Sequence, residues 1–153
     1  MTRQELVNLA EGGNQSAIEE LVKLLFQEND IIESCKWATK GAELGSAYCM
    51  NMAVPLLTIN ARAGVKVAGP IEAESSLDKL MQAVKYANAL EKAGVLKEPM
   101  DLSSTYAEMV WCYFLLGINT ENTIYFQEAV DVYLKLSKEC QSEVDYAYVK
   151  SLD

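Results

Sequence analysis

Cys35, Cys49, Cys112 and Cys140 are the softest nucleophiles in the sequence, and no histidine accompanies them. A cysteine becomes a nucleophile as thiolate, which requires a base, a cation or a helix N-terminus beside it; imidazole, the commonest activator, is missing. The cysteines lie 14, 63 and 28 positions apart with no Cys-x-x-Cys pair, so a zinc site would need all four to converge. Buried, inert thiols fit this spacing better, and neither metal nor cofactor is expected. Carboxylates are paired at Glu19–Glu20 and Glu72–Glu74. Acid–base catalysis requires one member of such a pair to be desolvated, and both pairs read as solvated surface charge. Gly64 and Gly69 flank Val65-Lys-Val-Ala, which lacks the Gly-Lys-Ser/Thr that cradles phosphate. These residues assemble no catalytic constellation, and the chain is expected not to be an enzyme. The rival expectation is an enzyme that closes residues 63–75 over a site as a lid.

Composition narrows the remaining classes. Half of the 153 residues are apolar, enough for a chain of this length to bury a core without a staple. Asp and Glu number 22 against 13 Lys and Arg, giving a formal charge of −9 spread evenly along the chain. An evenly acidic surface opposes phosphate backbones and anionic membranes, so nucleic acid and membrane are not expected partners. The N-terminus lacks the apolar run of a signal peptide, and the longest uncharged apolar stretch, Leu44 to Ala61, is interrupted by Asn51, Pro55 and Asn60. A cytoplasmic protein is expected.

Helical periodicity recurs throughout, and no run alternates long enough to form a half-buried strand, which makes the fold class all-α. Ser16-x-x-Glu19 is a capping-box pattern that opens a helix over about 15–28. Asp30-x-x-Glu33 opens a second that stops at Gly45, and Ser46 caps a third that ends near Arg62. Gly64, Gly69 and Pro70 predict a long loop from Ala63 to Glu74. A fourth helix runs from Ser75 to Gly94. A fifth, from Asp101 or Ser103, carries Trp111, Phe114 and Leu115 beside its main stripe and is expected to be the most buried. Gly117-Ile-Asn-Thr predicts the turn into a sixth helix, about 121–138, and Ser142-x-x-Asp145 opens a short seventh.

Self-similarity turns this string of helices into an array. Ser34-Cys-Lys-Trp37 up to Gly45 aligns without a gap on Ala83-Val-Lys-Tyr86 up to Gly94, and Ala129-Val-Asp-Val132 follows more loosely. A small residue, a large one at +3 and a small one at +11 therefore recur with periods of 49 and 46 residues. The segment Trp37-Ala-Thr-Lys-Gly-Ala-Glu-Leu-Gly45-Ser-Ala47 resembles the second helix and exit turn of a Sel1-like repeat, a relative of the tetratricopeptide repeat, with Gly41 standing where that pattern has alanine. The pattern's other helix is poorly kept, Trp111 replacing a small glycine. The resemblance implies a single domain over 1–153, a right-handed α-solenoid of antiparallel helix pairs that binds proteins or peptides on its concave face, lined by the first helices of its pairs.

Those first helices are the third and fifth. Asn51, Thr58 and Arg62 share one side of the third at offsets 0, +7 and +11, and Glu108, Trp111 and Leu115 share one side of the fifth at 0, +3 and +7. A peptide carboxylate meeting Arg62 and an apolar side chain meeting Trp111 is the expected mode of partner binding. A self-associating helical protein is the alternative. The aromatic-rich end of the chain, Tyr146 to Val149, is expected to support a homodimer through the C-terminal helix.

Overall fold

The computed structural model describes residues 2–68, 70–96 and 100–134, and among them every regular element is an α-helix. In chain order these are α1 (Arg3–Glu11), α2 (Gln15–Gln27), α3 (Ile31–Glu43), α4 (Ala47–Ala68), α5 (Pro70–Ala93), α6 (Ser103–Thr120) and α7 (Thr123–Tyr133). The expected C-terminal helix at Ser142, its dimer contact and Cys140 lie outside the described residues.

Local chemistry explains several of the boundaries. Thr2 and Glu5 form a reciprocal capping box that starts α1, an element absent from the expectation above. Asn14 caps α2 by accepting from the Ala17 amide at 3.0 Å. The expected capping box at Ser16 and Glu19 is therefore replaced by a cap two residues earlier, and Glu19 is left to accept from the Ser46 hydroxyl at 2.7 Å. Asp30 and Ser46 cap α3 and α4 as the sequence predicts. Gly45 (φ 94°) and Gly94 (φ 68°) both adopt the left-handed conformation that ends a helix at little cost for glycine.

The loop expected over residues 63–74 is not formed. Helix α4 continues through Gly64 to Ala68 and α5 begins at Pro70, so the helix start expected at Ser75 moves back five positions. Proline at the first position of a helix loses no internal hydrogen bond, because that N–H has no partner in any helix. A Cβ at Gly64 would stand 3.1 Å from the Ser76 hydroxyl, and that hydroxyl donates to the Ala61 carbonyl at 2.9 Å. Small residues thus let the two helices approach. The turn expected at Gly117 is likewise helical, with α6 running on to Thr120, because the Phe126 ring occupies the space a side chain at 117 would need. Nor is α6 uniformly buried, since Trp111, Phe114 and Leu115 are each half-exposed.

The chain divides into two compact units. The first comprises the described residues of Met1–Asn60 and Gln82–Met100. Its helices α1, α2 and α3 are consecutive antiparallel neighbours: Arg3 at the start of α1 meets Glu28 at the end of α2, and the Ser34 hydroxyl at the start of α3 donates to the Val22 carbonyl late in α2. Ile18, Leu21, Val22 and Leu90 fill its interior. The second comprises the described residues of Ala61–Met81 and Asp101–Asp153, with Leu80, Met109, Cys112 and Leu116 buried and with Tyr113 stacked on Tyr125 between α6 and α7.

Candidate functional site

Four of the six residues expected to bind a partner fall in the second unit. Arg62 Nε lies 3.0 Å from Glu108 Oε1. The Arg62 side chain is 72 % exposed, whereas that of Glu108 is only 13 % exposed. Arg62 is thus tied down through Nε on a side chain that stays mostly exposed. Burial pushes the Glu108 carboxyl up, and the charge of Arg62 opposes that shift. One turn further along α6, Trp111 is half-buried and meets Phe114 edge-on at 6.5 Å, and Phe114 meets Phe126 of α7 edge-on at 5.4 Å. Leu115 is half-buried beside them. A fixed cation at one end of an apolar helix face can orient an anionic group and bury an apolar one together.

Asn51 and Thr58 belong to the first unit. Asn51 is exposed, as a contact residue must be. Thr58 is buried and its hydroxyl donates to the Val54 carbonyl at 2.9 Å within α4, so it presents nothing to a partner. Sharing an azimuth on a helix of 22 residues does not secure shared exposure, because the packing around the helix changes along its length.

The positions that align on one another in the sequence behave in parallel. Ser34 and Ala83, at the small position, have no exposed surface, and Trp37 and Tyr86, three residues on, are buried. The ammonium groups of Lys36 and Lys40 stand 6.0 and 5.0 Å from the Trp37 ring. The Tyr86 hydroxyl donates to Glu43, which also accepts from Gln82 at 3.5 Å and faces Lys85 at 3.8 Å. These donors hold the Glu43 carboxyl below its ordinary value, the tyrosine hydrogen bond contributing most. Sequence spacing did not point to this cluster, since its members are about forty residues apart and only the packing of α3 on α5 unites them.

Other chemistry-bearing groups are sequestered. Cys35, Cys49 and Cys112 are buried and outside any disulfide, and burial pushes the Cys112 thiol up to about 12. Cys49 lies next to Ser46, which bonds Glu19, a sequence of groups that could relay a proton. Cys49 and Ser46 have no exposed surface, so no substrate reaches them, and desolvation pushes the thiol up. Glu20 faces Lys23 at 3.7 Å on the surface, and Glu74 is exposed. Among the described residues no group of three or more Cys, Asp or Glu is arranged to hold a metal. No described helix is long and apolar enough to cross a membrane.

A groove of about 500 Å³ runs between α1 and α2, with Leu6, Leu9, Ala17 and Leu24 in its wall together with Arg3 and Glu20. It was invisible to the sequence pattern because α1 itself was missed, although Thr2-x-x-Glu5 carries the capping-box signal. No family model matches this sequence, and neither a curated protein nor a solved structure resembles it.

Proposed function

We propose that this chain is a non-catalytic protein-interaction module, a divergent Sel1-like array of stacked helix pairs whose binding surface includes the outer side of α6. The observation that carries this reading is the Arg62–Glu108 pair beside Trp111 and Leu115: an exposed cation anchored through Nε by a half-buried carboxylate, with an apolar shelf next to it. The equivalent environments of Trp37 and Tyr86, and of Gly45 and Gly94, support the repeat on which the array rests. The described part of residues 63–75, which the rival reading takes as a lid loop, is helical.

Affinity capture from the native host tests the proposal. The wild-type chain is expected to retain a protein that the Arg62→Ala and Trp111→Ala variants release, with circular dichroism showing both variants folded. Retention of the same proteins by all three chains would remove this surface from consideration.

A further inference from the structure

The outer side of α6 has a pattern that bears on which protein it binds. At about 100° per residue, Phe114, Leu115 and Ile118 fall within about 60° of the Trp111 direction, forming one apolar strip along the helix. Ile118 is 59 % exposed and the other three are half-buried. The strip is bounded at its start by Arg62, seated on Glu108, and at its end by Glu121, which leaves α6 in the left-handed conformation (φ 57°). Glu121 is exposed, and the Arg62 side chain, held through Nε by Glu108, is 72 % exposed.

An antiparallel pairing of this strip with itself is complementary at each position. A two-fold axis near residues 114 and 115 sets Trp111 against Ile118 and Leu115 against Phe114, because each pair of numbers is centred on the same point. It also sets Glu108, carrying Arg62, against Glu121, so each cation of one copy meets the exposed carboxylate of the other. The 13 residues between 108 and 121 span about 20 Å of helix, a length typical of a small isologous contact. A chain with net charge −9 gains little from pairing faces at random, and here two opposite-charge contacts offset that repulsion.

We infer that the outer face of α6 is a homodimer contact in which Trp111, Phe114, Leu115 and Ile118 of two copies interleave and Arg62 of each pairs with Glu121 of the other. This rests on the interaction-module reading and names the partner as a second copy of this chain.

Sedimentation equilibrium of the full chain at about 100 µM tests it, with a species of twice 16.9 kDa expected. Ile118→Glu should give a monomer with an unchanged thermal melt, since that side chain is exposed. Glu121→Arg sets Arg against Arg62 and should raise the dissociation constant about tenfold at low salt, with the difference shrinking as salt is added. A wild-type monomer at this concentration overturns the inference, as does a dimer that Ile118→Glu leaves intact. A monomer that still captures a host protein through Arg62 and Trp111 overturns the self-pairing alone and leaves the module reading standing.

Discussion

Replacing Gly41 by alanine sets two well-measured effects against each other. Gly41 is buried inside α3, where alanine is the better helix former and should stabilise by about 1 kcal/mol. A Cβ at this position, however, would stand 2.8 Å from Cys49 Cβ and 3.0 Å from Ile18 Cγ2, with the Cys49 sulfur closer still. Neither neighbour can retreat easily: Ile18 has no exposed surface, and Cys49 sits on the first turn of α4, where its amide donates to the Ser46 hydroxyl at 3.1 Å. Overpacking of such a site costs about 1 to 3 kcal/mol. Crowding therefore outweighs propensity, and Gly41→Ala should lose about 1 to 2 kcal/mol in urea denaturation at unchanged slope. Cys49→Ala removes the sulfur, so the same change at position 41 should cost less in that background, a coupling that a double-mutant cycle reads directly. A Gly41→Ala protein more stable than wild type would refute the close approach of α3 and α4.

Trp37→Ala empties a buried site and should cost about 3 to 5 kcal/mol, whereas Tyr86→Phe deletes only the hydroxyl bound to Glu43 and should cost about 1 kcal/mol; a Trp37 loss below about 1 kcal/mol in urea melts would show that the two do not fill equivalent holes. Because the fold holds the Glu43 carboxyl below its ordinary 4.5, the stability it contributes is present above that value and is lost as pH falls through the lowered one. Urea melts between neutral and acid pH should show this loss in wild type and a flatter profile in Tyr86→Phe. Glu108 has the opposite sign: its carboxyl is raised, so the penalty for ionising it is absent in acid and grows as pH rises through the raised value. Arg62→Ala should therefore cost about 1 to 2 kcal/mol at neutral pH and little in acid, and adding Glu108→Gln should recover most of the loss; an equal loss at both pH values would argue against the pair.

The capped middle of the first unit was legible because its signals are local. Asp30 and Gly45 bracket α3, and Ser46 starts α4, each through a bond within three residues of itself. Glycine and proline misled where their meaning depended on distant residues. Gly64 and Gly117 lie inside helices because Ser76 and Phe126 crowd them, whereas Gly45 and Gly94 end helices through their backbone angle. A sequence prints both kinds alike. Pro70 opens α5 instead of breaking a helix. At the candidate site, Arg62, Glu108, Trp111 and Leu115 were found by azimuth, but the ion pair that fixes Arg62 required α4 and α6 to meet across 46 positions of sequence. Thr58 shared the right azimuth and is nevertheless buried.

The ties within each unit differ greatly in the length of chain they close, and this has a kinetic consequence. Ser34 reaches Val22 across 12 positions and Gly117 faces Phe126 across nine, so the α2–α3 and α6–α7 hairpins can form while the rest of the chain is open. Glu43 and Tyr86 are 43 positions apart, and Arg62 and Glu108 are 46 apart. Loop-closure entropy delays such contacts until local structure has shortened the effective loop. The hairpins should accordingly form the folding nucleus, with the two carboxylate ties closing after the rate-limiting barrier. Weakening either tie would then quicken unfolding while leaving the refolding rate almost unchanged, so Glu43 and Glu108 govern how long the native state lasts more than how fast it is reached.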